Sequence, residues 1–317
     1  SGLIEALVTK WEITDRVSAI VTDNGANFAA AARGLVKCQI VKEKLWCSCH
    51  TLQLTIQDAL FIDGVEELLV ESRQIVKSFK NSSSLFHALE SVKARLKNSA
   101  DLPECDTVEP RKLTLDVATR WNSAYLMTER LIENRAAIEE IALEIGRADL
   151  NLKREEWSIL EALAMLLGPF ADATKLLEGE RYPTVGSVLP VICSLLRFLE
   201  DKTVLEKLEL KSWSELPGIS KDVHRSLVEA LKTRWFPIGQ VLSMSAIMDP
   251  RWKTLWYVEP EEKRIQIIAQ LRSIHKDTFK EDEPVVFQSE VANKRRKSNG
   301  YLRDIMDQKS EAKQIDE

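Results

Sequence analysis

The chain has 317 residues, of which 44% are hydrophobic and 29% charged, with a formal net charge of −5. That balance excludes a disordered chain, and it excludes a protein whose whole surface grips nucleic acid, so any such grip has to be local. No apolar run approaches the roughly 20 residues that a membrane-crossing helix needs. The five cysteines, at 38, 47, 49, 105 and 193, show no disulfide-framework spacing, and reduced thiols in an intracellular compartment are expected.

SGLIEALVTKW opens without an initiator Met and already reads as a helix, with Leu3, Leu7 and Trp11 on one side; an excerpt of a longer protein is expected. After a break at Thr14-Asp15, Val17 to Val21 is β-rich and runs into TDNGANF, which leads into a helix stopped near Gly34. A second short β-run, KEKLWCSC, leads into HTLQLTIQDALF, where Leu52, Ile56, Ala59 and Leu60 share one helical face. Val65, Leu68, Leu69, Ser72, Ile75, Val76 and Phe79 recur at three- and four-residue steps. The NSSS break at 81–84 then starts a helix carrying Leu85, Phe86, Leu89, Val92 and Leu96. Residues 98–111 form a polar, Pro-containing loop. KLTLDVATRW reads as a third strand, followed by one long helix through Met127, Leu131, Asn134, Ile138 and Ile141.

Strand signals stop near residue 150, and the segments from EEWSIL to KDTF carry helical periodicity, with starts marked by Pro183-Thr184, Ser220 and Pro260. After Lys280 the periodicity is lost and KRRK (Lys294 to Lys297) sits in a polar setting that reads as a linker, a phosphate-binding run or a nuclear-import patch. The expected organisation is an α/β part over 1–145, an all-α part over 146–280 and a flexible polar linker over 281–317. Three strands are too few for a comfortable sheet core, so partner strands are expected before Ser1.

Asp23 ends the first strand. A carboxylate there suits hard-metal phosphoryl-transfer chemistry, and equally Asp23 or Asn24 can cap the next helix with Gly25 easing the turn. Cys47, Cys49 and His50 invite a zinc reading, but no second ligand pair supports it, and a packed strand end with His50 at a helix start is the simpler reading. Arg120-Trp121 is either an amphipathic pair or a cation beside an aromatic plane, the combination that neutralises phosphate and stacks a base. Asp116 can pair with Asp23 as a metal dyad, or with Arg111 or Arg120 as an ion pair. MDPRWK (Met248 to Lys253) reads as a turn or helix start in structural use.

In order, TDNGANF, CSCHTLQLTIQD, IVKSFKNSS, LDVATRWNSAYLMTERLIENRAAI, KLLEGERYPTVGSVLP and AIMDPRWK resemble the hAT superfamily of DNA transposases, in particular the zinc finger BED proteins derived from them. The similarity spans most of residues 1–280, and TRWNSAYLM and TDNGAN with Cys-x-x-His are its most specific pieces. The resemblance implies a partial RNase H-like core interrupted by a large all-helical insertion. It implies that three carboxylates hold two divalent metals, Mg²⁺ or Mn²⁺, for attack on a phosphodiester. It places Asp23 as the second of those carboxylates, Cys47 and His50 in the Cys-x-x-His motif near the active site, and Arg120 and Trp121 on DNA at the transposon end, the Trp beside a flipped-out base.

The first Asp and a zinc-holding BED finger are expected before Ser1, and the final Glu and a dimerising segment after the described motifs. One credible member of the triad remains, so this stretch is expected not to catalyse alone. The implied partners are DNA and further copies of the chain, in the nucleus and without a membrane. The alternative is a domesticated DNA-binding regulator that has lost the chemistry. A third reading makes 150–280 a protein-interaction surface, with Trp213, Trp235, Phe236, Trp252 and Trp256 either in its core or at a partner.

Overall fold

Helices form wherever three- and four-residue apolar spacing is sustained, and strands form only where a neighbouring strand is at hand. In the computed structural model, the residues described are 2–99 (except Asn24), 111–117, 120–180, 182–201, 218–252 and 255–258, with scattered positions from 262 to 269. Much of the expected 98–111 loop, Trp213, most of the helix expected over 261–279, and the 281–317 linker with KRRK lie outside the described residues.

The N-terminal part runs α1 (Gly2–Lys10), β1 (Ala19–Thr22), α2 (Ala26–Lys37) and β2 (Glu43–Trp46). The two strands are parallel, pairing Ala19 with Glu43, Ile20 with Lys44, Val21 with Leu45 and Thr22 with Trp46. A helical crossover is what parallel neighbours require, and α2 supplies it. A small cluster of Val8, Leu35, Ile40 and Val41, with Ile20 against it, holds α1, α2 and the strands together.

From Ser48 onward the described chain is helical: α3 (Ser48–Leu60), α4 (Val65–Asn81), α5 (Ser83–Ser99), α6 (Trp121–Glu133), α7 (Arg135–Glu144), α8 (Arg154–Leu177), α9 (Val185–Glu200), α10 (Gly218–Trp235) and α11 (Gln240–Met248). The expected α/β character over 1–145 is thus confined to residues before Ser48. One core joins these helices from Leu52 to Trp235, taking in residues on both sides of 146. All seven periodic positions of α4, from Val65 to Phe79, are buried.

KLTLDVATRW is not a strand. Residues 111–117 and Arg120 are irregular, and 118–119 lie outside the described residues. A β-like alternation needs a partner edge, and here side chains take its place. Asn134 Nδ2 donates to the Arg111 carbonyl at 2.9 Å, and the Ser123 hydroxyl bonds the Val117 N–H at 2.8 Å.

The expected long helix is two helices, α6 and α7, broken at Asn134. That buried side chain also donates to the Arg130 carbonyl at 2.7 Å, which accepts the Asn134 backbone N–H at 3.2 Å as well, so the amide competes with the helical ladder where α6 ends. MDPRWK forms a short 3-10 turn at Pro250–Trp252, where Arg251 grips Asp249 and donates to the Pro183 carbonyl at 3.0 Å. Trp235 is in the main core, Trp252 and Trp256 pack on a satellite cluster, and Phe236 is exposed.

Trp157 sits at the centre of the helical body. It is fully buried, its Nε1 donates to Asn151 Oδ1 at 3.0 Å, and the Arg135 guanidinium lies 5.2 Å from its ring. Trp157→Ala should lower unfolding free energy by about 3–5 kcal/mol in urea titration, and Trp157→Phe by about 1–2 kcal/mol for the lost hydrogen bond. A loss below about 1 kcal/mol for the alanine variant would contradict this packing.

Candidate functional site

Because β1 and β2 run in register, their C-terminal ends coincide. The Cys47 N–H extends the ladder by donating to the Thr22 carbonyl at 2.7 Å, which puts Asp23 and Cys47 side by side just past the strands. Cys47 is also the N-cap residue of α3, its carbonyl accepting from the Thr51 N–H at 2.9 Å and the Thr51 hydroxyl at 3.0 Å. His50 stands in the first turn of that helix, half-buried. Three of the expected residues thus gather at the carboxyl end of a parallel pair, where open α/β sheets bind ligands.

Asp23 is exposed, and its Oδ1 accepts from the Gly25 N–H at 3.1 Å, shaping the turn into α2. A Cβ at Gly25 would come within 3.0 Å of that oxygen, so glycine leaves the carboxylate room. The N-cap residue of α2 is Gly25, with no side-chain cap, so Asp23 makes a turn and does not cap the helix.

Burial first, then the neighbouring Cys47 and Glu178, pushes the Cys49 thiol up to about 11. Cys49 therefore stays protonated near neutrality and is a poor nucleophile and a poor metal ligand. Among the described residues, no group of three or more His, Cys, Asp or Glu is placed to hold a metal. Asp23 is a single hard ligand beside the soft ligand types of Cys47 and His50, so the described residues do not by themselves fit a two-metal Mg²⁺ or Mn²⁺ centre.

Asp116 is accounted for elsewhere. Its buried carboxylate receives Arg73 Nε at 2.9 Å on both oxygens, with the second Arg73 nitrogen 2.9 Å away, so it is neither a dyad partner of Asp23 nor paired with Arg111 or Arg120. Arg111 instead binds Glu133 and Glu129.

Arg120 and Trp121 separate in role. Arg120 is the exposed N-cap residue of α6 and forms no ion pair among the described residues. Trp121 is 4% exposed, packed in the main core with its ring centroid 6.3 Å from that of Tyr125. Among the described residues no hydrogen bond or ion pair links either residue to Asp23, Cys47 or His50, although α6 packs on α3, the helix that carries His50.

Sequence reasoning passed over the neighbours of Asp23. Phe28, 60% exposed, lies 3.6 Å from where a Gly25 Cβ would stand. Trp46, 41% exposed, is opposite Thr22, and the Lys44 ammonium lies 2.9 Å from its ring centroid. The signal was present in KEKLW, whose alternation puts Lys44 and Trp46 on one face and Glu43 and Leu45 on the other.

Residues 45–166 match the family described as the ZBED1 RNase-like helical domain. A Zea mays protein provisionally named AC transposase is 23% identical over 292 residues, covering 88% of this chain and 32% of the relative. Zinc finger BED domain-containing protein 4 of Homo sapiens is 26% identical over 266 residues, covering 82% of this chain and 20% of the relative. A Talaromyces stipitatus protein provisionally named transcriptional regulator tpeD is 26% identical over 293 residues, covering 83% and 34%. Over most of its length the chain is similar to hAT-type transposases and to zinc finger BED proteins. It spans a fifth to a third of the length of these relatives. The family match takes in Cys47, His50, Asp116, Arg120 and Trp121, while Asp23 precedes it.

Two measurements check this site. Asp116→Asn should weaken the chain's stability by about 1–3 kcal/mol in urea titration through the freed Arg73; unchanged stability would contradict the Arg73–Asp116 pair. Since folding holds the proton on Cys49, whose ordinary value is 9.0, its contribution to stability falls as pH rises from there towards about 11. A thiol-specific reagent near neutrality should modify exposed Cys38 faster than Cys49, and equal rates at the two would contradict the buried, protonated thiol.

Proposed function

We propose that this chain is the DNA-engaging part of an hAT-type transposase, or of a nuclear DNA-binding protein derived from one. The observation that carries the reading is the convergence of Asp23, Cys47 and His50 at one end of the β1–β2 pair, with Arg120 exposed on a neighbouring helix and in no ion pair among the described residues. With further carboxylates, Asp23 could help to hold a divalent ion, whose charge would offset that of a phosphate, and a guanidinium free of ion pairs among the described residues suits a second phosphate. In the intact protein the reaction would be phosphodiester cleavage and strand transfer with Mg²⁺ or Mn²⁺, further carboxylates coming from outside the described residues. A zinc-holding BED finger and self-association would belong to other parts of such a protein.

Trp121 serves this reading by fixing the first turn of α6, and hence Arg120, against the core. A base stacked on its ring would require the ring to leave that core.

The second reading is a domesticated regulator that keeps the DNA contacts without the chemistry. It is favoured by the single carboxylate at the strand ends among the described residues and by the regulator name of one relative.

Fluorescence anisotropy with labelled DNA carrying a single-stranded end tests the reading. The 317-residue chain should bind with an affinity that falls steeply with salt. Arg120→Ala should weaken binding roughly tenfold and reduce the salt slope by about one. Mn²⁺ should tighten binding by the unchanged chain and not by Asp23→Ala. Absence of DNA binding sinks both readings. Cleavage by the intact protein that survives Asp23→Ala sinks the catalytic one.

A further inference from the structure

The face of β2 that carries Lys44 and Trp46 holds groups that the fold does not use. Trp46 is 41% exposed at the last position of its strand, one residue before Cys47 and directly opposite Thr22. Neighbouring strands lie about 4.8 Å apart, so the Trp46 backbone stands one strand spacing from Thr22, the residue preceding Asp23. Exposed apolar side chains scattered singly are ordinary, but this one is accompanied by charge. The Lys44 ammonium lies 2.9 Å from the ring centroid, and Arg33 of α2 is close enough to push the Lys44 ammonium's affinity for its proton down, second to the effect of burial.

Neither Lys44 nor Arg33 forms an ion pair among the described residues. The adjacent carboxylate, Glu43, points to the other face and accepts from the Val241 N–H at 2.9 Å. Like charges acting on each other without a counter-charge carry an unfavourable interaction that an anion relieves. Cations beside an exposed aromatic plane are the combination by which proteins hold single-stranded nucleic acid, the plane taking a base and the cations the backbone. By contrast, a cavity of about 700 Å³ on the helical body is lined by Asp63, Glu66, Glu67 and Glu71 and repels such a ligand.

We propose that Trp46, Lys44 and Arg33 form a contact for a single-stranded segment of DNA beside Asp23, a base stacking on Trp46 and the two cations holding the flanking phosphates. The proposal rests on the DNA-engaging reading above and assigns the strand chemistry that the site takes: an unpaired end, not a closed duplex. On binding, the Lys44 ammonium leaves the face of the ring for a phosphate and vacates it for the base.

Anisotropy with a fluorescein-labelled oligo-dT strand, and with a duplex of the same length, tests the proposal on the full 317-residue chain. Trp46→Ala should weaken single-strand binding roughly tenfold and duplex binding much less, while Trp46→Phe stays within about threefold of the unchanged chain. Lys44→Gln and Arg33→Gln should each reduce the salt slope for the single strand by about 0.7. Thermal unfolding of each variant at the unchanged midpoint establishes that exposed groups alone were altered.

Unchanged single-strand affinity in Trp46→Ala overturns the proposal, as does a Trp46→Phe variant as weak as the alanine one. If the unchanged chain binds DNA and Arg120→Ala weakens it while Trp46→Ala, Lys44→Gln and Arg33→Gln do nothing, this contact fails and the functional reading stands. If the unchanged chain binds neither oligonucleotide, both fail together.

Discussion

The pairing of β1 with β2 is the constraint on which the rest of the site depends. Two four-residue parallel strands make a small sheet, yet their register decides everything at its carboxyl end. A one-residue slip would turn Lys44 and Trp46 to the opposite face and separate Asp23 from Cys47. The ladder resists that slip because the Cys47 N–H is tied to Thr22 while the Cys47 carbonyl is tied to Thr51, so strand and helix share one residue as their joint. α3 is then aimed from the strand end into the main core by Leu52, Ile56 and Ala59, all fully buried.

The helical body supplies the second element, Arg120, by a different route. No strand holds residues 111–117 in place. They are tied down by side chains reaching out of helices: Arg73 of α4 to Asp116, Ser123 of α6 to Val117, and Asn134 beyond α6 to Arg111. Such a strap fixes a loop without a sheet, and it delivers the chain to the start of α6 with Arg120 as the exposed N-cap residue and Trp121 beneath it. Asp116 belongs to this strap, which explains an acidic residue close to an Arg-Trp pair without any metal.

How much of this was legible depends on whether a signal is local. The apolar spacing of α4 placed seven residues correctly because helical periodicity carries its own geometry. KLTLDVATRW has an equally clear two-residue alternation, but a strand also needs an edge to pair with, and that lies elsewhere in the fold. Asn134 fitted the helical spacing and is buried as expected. The break there comes from its amide reaching two carbonyls, one of them 23 residues away, which no periodicity reports. Trp121 was legible in hindsight: Ala124, Met127, Thr128 and Leu131 continue its stripe, and the whole stripe is buried. Asp23, Cys47 and His50 were singled out by motif; the alternation of KEKLW places Lys44 and Trp46 on one face, but the exposure of that face is a property of the folded surface.

β2 also explains why a catalytic-looking end and a helical body can stay in fixed relation. Glu43 and Leu45 face one way and Lys44 and Trp46 the other, so one strand carries attachment and ligand contact on opposite sides. On the attachment side the Glu43 carboxylate accepts from the first turn of α11, where the positive end of the helix dipole favours it. Gly239, the N-cap residue of α11, leaves the space: a Cβ there would collide with the Glu43 carboxylate. α11 packs on α9, which joins the main core, so the tie runs from the strand pair across nearly 200 residues of sequence to the helical body. With Glu43 occupied in that tie, the opposite face is left with two cations and an indole and no carboxylate from its own strand. The same alternation that anchors the sheet therefore concentrates positive charge beside Asp23, in a chain whose net charge is −5.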